Sequence, residues 1–193
     1  AWTAARKGLS VAVVERDFRC VGASIRNFGF ITVTGQREGH TWRRARRSRD
    51  LWAELAPQAG IEVLHRGLWV LARRPVAAEV LQAFAQTEMG RECSLFSAVE
   101  AAAHAPMLQT SGACAALYSP HELRVESRTA IPLLAHWLQQ RHGVRFHWGQ
   151  AVLGLEDGRV HTSSGEFYAE RVVLCPGTDL TGPALPWIQD LNL

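Results

Sequence analysis

The sequence is poor in cysteine and has no cysteine pattern that would build a metal or disulfide site. Its four cysteines are widely spaced, with no CxxC pair and no histidine at metal-ligand spacing: Cys20, Cys93, Cys114 and Cys175. This distribution excludes zinc-finger and disulfide-framework classes and indicates no metal site. It predicts reduced, mostly buried thiols in a cytoplasmic protein.

Long apolar runs and strong net charge are also missing. No stretch approaches the roughly 18 to 20 apolar residues of a transmembrane helix, and the first residues lack the layout of a signal peptide. The net charge is +3, with 20% charged and 47% hydrophobic residues. We therefore expect an ordinary globular chain with no transmembrane segment and no nucleic-acid partner.

One segment concentrates positive charge: residues 41–55, "TWRRARRSRDLWAEL", hold five arginines within 43–49. Apolar residues recur there at helical spacing and form a single stripe of Trp42, Ala45, Trp52, Leu55 and Ala59. Arg43, Arg46 and Arg47 fall off that stripe, and Arg46 is spaced to pair with Asp50. A solvated helix face explains the pattern, and a basic binding module remains a remote alternative.

The N-terminal segment "AARKGLSVAVVERD" reads as a helix end, a cap and a buried strand that stops on an acid. Gly8 is a natural C-terminal cap, with Leu9 as the apolar residue after it. The Val-rich run that follows is typical of a strand covered on both faces in a parallel sheet. An acid at the end of such a strand binds ribose hydroxyls in dinucleotide-binding units, so Glu15 is a candidate for that role.

The rest of the chain alternates helical and strand patterns. We predict helices over 36–59, 75–88 and from Thr129, with Pro132 in the first turn of the last one. Ser97 and Glu100 predict a capping box. Strands are predicted on either side of Arg66–Gly67, in "ACAALYS", and in "VRFHW", "AVLGLED", "GRVHTS", "EFYAE" and "RVVLCPG", with a hairpin turn at Asp157–Gly158.

These elements predict an α/β fold with two parts. The first and last Val-rich strands are expected in one parallel sheet, within an incomplete Rossmann-like domain formed by residues 1–60 and 126–193. Residues 61–125 are expected to form part of a lobe with an antiparallel sheet. We interpret the first part as the cofactor domain and the second as the substrate domain.

Three segments together resemble the D-amino-acid-oxidase-type family of FAD-dependent oxidoreductases. They are "GLSVAVVERD", "GASIRNFG" and "GVRFHWGQAVLGLEDGRVHTSSGEFYAERVVLCPGTDL". The meander pattern typical of such flavoproteins stands here as Val160, Thr162, Gly165, Ala169, Val172, Val173 and Gly177. The chain contains no GxGxxG loop, so we expect a fragment of a protein about twice as long, inactive by itself and lacking that loop and a C-terminal half.

The resemblance implies FAD as the cofactor and assigns residues along it. Glu15 would hold the adenosine ribose, with Arg16 near the adenine and Val152 touching the adenine through its backbone. The pyrophosphate and the flavin side would be lined by Ala23, Ser24, Arg26, Asn27 and Gly29, and the same cleft by Cys175 and Gly177. Arg26 stands near the place where some members carry a histidine bonded to the flavin, which implies non-covalent FAD.

The resemblance also implies an activity: hydride transfer from an amine-bearing carbon to flavin N5, giving an imine that hydrolyses. "RNFGF" with "SPHELRVESR" is most similar to a bacterial subgroup linked to aminophosphonate breakdown. An anionic substrate favours an arginine clamp, so Tyr118, His121 and Arg124 are candidate substrate contacts. The electron acceptor, oxygen or a quinone, stays open. A hydroxy-acid or glycerol-phosphate-type dehydrogenase on the same fold is the alternative.

Overall fold

The computed structural model describes residues 1–156 and 158–177, which fall into two compact units. The first unit combines Ala1–Asn27 with the chain from Ser127 onward, and the second is Phe28–Glu126. The second unit therefore begins at Phe28 rather than at residue 61, because the basic helix packs against its strands. The assignment of cofactor and substrate roles to the two parts remains a prediction.

The first unit contains a parallel strand pair. Helix α1 (Trp2–Arg6) ends where Gly8 adopts a φ of 77°, and the Leu9 N–H donates to the Ala4 carbonyl at 3.2 Å. That geometry is a Schellman cap, so the predicted role of Gly8 is confirmed. Strand β1 (Ala12–Glu15) follows and pairs in parallel with a later strand (Arg145–Trp148).

The second unit is built on an antiparallel sheet. Its helices are α2 (His40–Gln58), α3 (Pro75–Ala85) and α4 (Ala98–His104). Its strands are β2 (Phe30–Ile31), β3 (Val63–Ala72), β4 (Ser94–Phe96) and β5 (Ala115–Val125). Strand β5 is central, since β3 pairs along its length while β2 and β4 pair with different parts of it.

Two local predictions in this unit can be compared with the structure. The Ser97–Glu100 capping box is present, with both reciprocal hydrogen bonds at the start of α4. The two strands expected around Arg66–Gly67 are a single strand, β3, whose register with β5 shifts between Arg66 and Leu68. Gly67 has a φ of 80° there, so the turn signal marks an irregularity inside one strand instead of a break.

Helix α2 buries the stripe expected from its sequence. Trp42 and Leu55 are each 5% exposed and Ala59 is 8% exposed. Arg46 pairs with Glu92 at 2.8 Å rather than with Asp50, which pairs with Arg49 instead.

Helix α5 (Ser127–His142) starts two residues earlier than predicted. The sequence favoured Thr129 because it would place Pro132 in the first turn, and that start is wrong. The Ser127 hydroxyl donates to the Ile25 and Asn27 carbonyls at 3.1 and 2.7 Å, so this residue fixes the helix start against the preceding loop. Pro132 lies inside the helix.

A three-stranded meander follows the parallel strand, β6 (Arg145–Trp148). It consists of β7 (Val152–Glu156), β8 (Arg159–Thr162) and β9 (Gly165–Tyr168) in sequential antiparallel order. The four strands predicted over this part of the sequence, from "VRFHW" to "EFYAE", are confirmed as β6 to β9. The predicted turn residue Asp157 lies outside the described residues. The last predicted strand, "RVVLCPG", is wrong: residues 171–176 form no strand, and Val173 is 84% exposed. In the described ranges the parallel sheet has only β1 and β6, so β1 pairs with β6 and not with the last Val-rich strand as expected.

Candidate functional site

The first candidate site lies at the carboxyl edge of the β1–β6 pair. Glu15 ends β1, and its Oε1 accepts the Asp17 N–H at 3.0 Å. The segments that follow β1 and β6 stay hydrogen-bonded beyond the strands. The Gln150 N–H donates to the Glu15 carbonyl at 2.9 Å, and the Gly149 N–H donates to the Asp17 carbonyl at 3.1 Å. Ligands of parallel sheets bind at this edge, and the half-buried Glu15 carboxylate lies on it.

A short loop with small residues forms the second part of this site. Ala23 and Ser24 lie in a 3-10 turn, Gly22–Ser24, and both are exposed. Asn27 donates from Nδ2 to the Ala23 and Ser24 carbonyls at 2.8 and 3.3 Å. Together with the two bonds from Ser127, this fixes the loop backbone and leaves the Arg26 side chain exposed. Sequence reasoning missed this role of Ser127.

The remaining predicted cofactor residues are distributed between the units. Val152 opens β7 and is half-buried, whereas Arg16, Cys175 and Gly177 are exposed in the same unit. Gly29 belongs to the second unit, where its carbonyl accepts the Val125 N–H at 3.0 Å. A strand-end carboxylate and an exposed turn of small residues fit the adenosine and pyrophosphate of a dinucleotide.

The second candidate site lies on strand β5 of the antiparallel sheet. Tyr118 is the register partner of Trp69, and their ring centroids are 5.0 Å apart. A Cβ on Gly67 would lie 2.7 Å from the Tyr118 ring carbon Cζ, so glycine leaves the room that this ring occupies.

Arg124 is the register partner of His65, beyond the register shift between Arg66 and Leu68, so strand alternation does not relate it to Tyr118. Arg124 is exposed; its Nε donates to the Phe28 carbonyl at 3.4 Å, and its guanidinium lies 5.9 Å from the Phe30 ring centroid. Tyr118 and Arg124 thus lie on the same strand, β5, on either side of this irregularity.

His121, the third predicted substrate residue, is closed to solvent. It is 2% exposed, and its Nδ1 lies 3.4 Å from Nη2 of Arg49 on α2. Burial lowers the pKa of His121 below its ordinary value of 6.5, and the charges of Arg46 and Arg49 act in the same direction. Glu92 and Glu122 oppose them. A neutral His121 whose Nδ1 accepts from Arg49 matches this arrangement.

Glu122 forms a buried clamp that sequence reasoning missed. Its Oε1 accepts the Val33 and Thr34 N–H groups at 3.3 and 2.7 Å, and the residue is 5% exposed. Burial alone would raise the pKa of this carboxyl. Hydrogen bonds from Ser119 and from residues 33–34 outweigh it, so the net pKa lies below the ordinary value of 4.5. Only the pairing of segments nearly 90 residues apart creates this clamp.

Lowering the pH below about 6.5 is expected to destabilise the protein partly through His121. The unfolded chain protonates this histidine first, because the folded pKa is lower, so stability falls from the ordinary pKa down to the folded one. His121→Asn should remove this part of the loss, whereas His40→Asn, at an exposed position of the same unit, should not. Urea unfolding at pH 7.5, 6.5 and 5.5 measures the free energy of unfolding of each variant. The prediction would be contradicted if this free energy fell equally with pH in His121→Asn and wild type.

All four cysteines are free; two are half-buried and two, Cys114 and Cys175, are exposed, so the expectation of mostly buried thiols is wrong. Across residues 1–156 and 158–177, no group of three metal-ligating side chains comes together. No helix within those ranges has the length and apolarity needed to cross a membrane.

Comparisons with known proteins identify the family of the chain and its fold. The sequence profile described as FAD dependent oxidoreductase, the DAO family, matches residues 1–189. No curated protein sequence matches the chain.

Solved structures share the fold at low identity. L-amino acid deaminase from Proteus vulgaris superposes with a TM-score of 0.78 at 17% identity, over 100% of this chain and 46% of the deaminase. Glycine oxidase from Bacillus cereus gives 0.70 at 21% identity, over 88% of this chain and 50% of the oxidase. The L-alpha-glycerophosphate oxidase from Mycoplasma pneumoniae, solved with FAD bound, gives 0.67 at 18% identity, over 83% and 46%.

This chain thus spans about half the length of the solved relatives it matches, between 46% and 50% of the three. Their identities are low, so the likeness establishes the fold, and the profile match over residues 1–189 establishes the family. The chain belongs to the DAO family of FAD-dependent oxidoreductases.

Proposed function

We propose that the first unit holds the adenosine and pyrophosphate of FAD at the β1 edge. The Glu15 carboxylate accepts the ribose hydroxyls, Arg16 and the Val152 backbone flank the adenine, and the turn with Ala23 and Ser24 receives the pyrophosphate. Arg26 and Asn27 lie along the flavin side, and Cys175 and Gly177 line the same cleft. The observation that carries this proposal is the position of Glu15 at the carboxyl end of a strand in a parallel pair.

The reaction we propose is oxidation of an amine or amino acid, with an aminophosphonate as the finer candidate substrate. When bound non-covalently, FAD would supply the acceptor for a hydride from the amine-bearing carbon, leaving an imine that water would hydrolyse. Support comes from the family and from neighbours named as an amino acid deaminase and a glycine oxidase. The chain's own part is to bind and orient the donor, and no acid–base residue is assigned.

On β5, we propose that Arg124 binds the anionic group of the donor and that Tyr118 contacts the rest of it. Arg124 is exposed and has its guanidinium held by the Phe28 carbonyl and the Phe30 ring, which orients it before a substrate arrives. His121 is closed to solvent, so for it we propose support of β5 through Arg49 in place of direct contact.

A donor screen under anaerobic conditions tests the reaction class. The full-length protein is mixed with amino acids, aminophosphonates, hydroxy acids and glycerol 3-phosphate, and bleaching of the flavin absorbance is followed. Bleaching by an amine donor supports the proposal. The glycerophosphate oxidase among the solved neighbours favours one alternative, a hydroxy-acid or glycerol-phosphate dehydrogenase. Bleaching only by hydroxy donors would establish that alternative and overturn the amine proposal.

Arg124→Met is expected to raise KM for an anionic amine donor by at least about tenfold while kcat changes less. The reason is that a charge-assisted hydrogen bond to the donor contributes roughly 1.5–3 kcal/mol and acts mainly in binding. Arg66→Met, an exposed arginine on the neighbouring strand β3, serves as the control and should leave KM unchanged. Steady-state kinetics of the full-length protein measure both, and an unchanged KM in Arg124→Met would remove this residue from the binding site.

A further inference from the structure

An exposed phenylalanine stands at the proposed FAD edge without a place in the predicted site. Phe18 follows β1 by three residues and is 87% exposed. Exposing a whole aromatic ring to water is unfavourable by comparison with burying it against another group. The exposed Phe18 ring, beside a candidate ligand site, would therefore gain from contact with a ligand group.

The backbone around Phe18 is fixed by the bonds that join the two strand ends. The Gly149 N–H donates to the Asp17 carbonyl at 3.1 Å, immediately before Phe18. The N–H of Asp17 donates to Oε1 of Glu15 at 3.0 Å. The backbone from Glu15 to Asp17 is thus held against the end of β6, which fixes the point from which the Phe18 side chain projects.

Gly149 supports one edge of that ring. Its φ is 70°, and a Cβ at this position would lie 2.7 Å from Cδ1 of Phe18 and 3.0 Å from Cζ. A side chain at residue 149 would force the ring to move. The glycine therefore lets the ring lie against the β6 end with one edge while most of its surface stays open.

We propose that the open surface of Phe18 is the apolar wall on which the adenine of FAD stacks. This inference rests on the proposed FAD site. Glu15, three residues earlier, binds the ribose in that proposal, so the base attached to the ribose lies within reach of the next few residues of the chain. A planar base presents a π-face to an aromatic side chain, and such stacking tolerates any base. The Phe18 ring supplies the only aromatic side chain between Glu15 and the Gly22 turn.

Binding of FAD and of ADP, which keeps the adenosine and lacks the flavin, tests this role. The apoprotein of the full-length protein is titrated with each ligand by calorimetry. Phe18→Ala should raise Kd for both ligands by about tenfold, the size seen for loss of one base–aromatic stack. Phe18→Trp should retain wild-type affinity within about threefold, since an indole still offers a stacking face.

Two further variants separate stacking from a merely structural role. Tyr168→Ala removes another exposed ring of the same unit, 75% exposed, and should leave both Kd values unchanged. Gly149→Ala should weaken ADP binding in wild type but have a smaller effect in the Phe18→Ala background, because the displaced ring is then absent.

Each outcome decides the inference. Unchanged ADP and FAD affinity in Phe18→Ala, with wild type binding both, overturns it and leaves the proposed function intact. An equal loss of affinity in Phe18→Ala and Phe18→Trp, together with a lower unfolding midpoint of the apoprotein, overturns it as well. Absence of FAD and ADP binding in wild type overturns the proposed function and this inference together.

Discussion

Glu15→Ala is expected to raise the Kd of the full-length protein for FAD by about 10- to 100-fold. Hydrogen bonds to a charged group contribute roughly 1.5–3 kcal/mol, and each 1.4 kcal/mol is about tenfold in affinity. The carboxylate sits at the carboxyl end of β1, so its loss removes the acceptor for the ribose. Titration of the apoprotein with FAD and with ADP, by calorimetry, measures the change.

Matched variants distinguish ribose binding from a local structural effect. Glu15→Gln keeps an oxygen for the Asp17 N–H and should lose less affinity than Glu15→Ala. Glu170→Ala removes an exposed carboxylate from the same unit and should leave Kd unchanged. Equal affinity for FAD in wild type and Glu15→Ala would exclude Glu15 from the cofactor site.

Glu122→Ala is expected to reduce the free energy of unfolding by about 2–4 kcal/mol. The substitution leaves the buried Val33 N–H and the part-buried Thr34 N–H without their acceptor, and each unsatisfied buried donor costs roughly 1–3 kcal/mol. Chemical denaturation of the full-length protein at pH 7.5 measures the loss when it is followed with a probe that reports unfolding of the second unit.

The pH dependence gives this prediction a second readout. The folded pKa of Glu122 is lowered, so its contribution to stability is present above the ordinary value of 4.5 and is lost as the pH falls through the folded pKa. Glu122→Gln should therefore lose less stability than wild type below about pH 4.5. Glu62→Ala, at an exposed position of the same unit, is the control. A destabilisation below about 0.5 kcal/mol in Glu122→Ala would show that the clamp does not stabilise the fold.

Much of the local structure could be predicted from sequence because its signals are short-range. The Gly8 cap, the Ser97–Glu100 box and the amphipathic stripe of α2 depend on residues within one or two turns of each other. The meander strands follow from alternating patterns bounded by turn residues. In each case the pattern contains the interacting groups themselves.

Predictions that depended on distant contacts failed. Pro132 pointed to a helix start at Thr129, but the Ser127 hydroxyl bonds to carbonyls about 100 residues away and sets the start instead. The apolar run 172–175 predicted a buried strand, yet such a strand also requires a hydrogen-bonding neighbour, and the described residues contain none for it. Apolar sequence is compatible with a parallel strand but does not select its partner.

The candidate sites divide in the same way. Glu15 could be proposed from sequence because a strand-ending acid is itself a local pattern. Phe18, Ser127 and Glu122 gained a role only when their partners at Gly149, in the 25–27 loop and at residues 33–34 were seen. Tyr118, His121 and Arg124 are close in sequence, yet burial closes His121 to solvent while Tyr118 is half-buried and Arg124 is exposed.

The visible absorption spectrum of the full-length protein tests the central claim, FAD binding at the β1 edge, most directly. We expect flavin bands in the purified wild-type protein. If it is isolated as the apoprotein, the bands should appear when FAD is added and remain after the excess is removed. Glu15→Ala, treated identically, should retain clearly less flavin. A wild-type protein that is colourless and retains no flavin after addition of FAD would contradict the account.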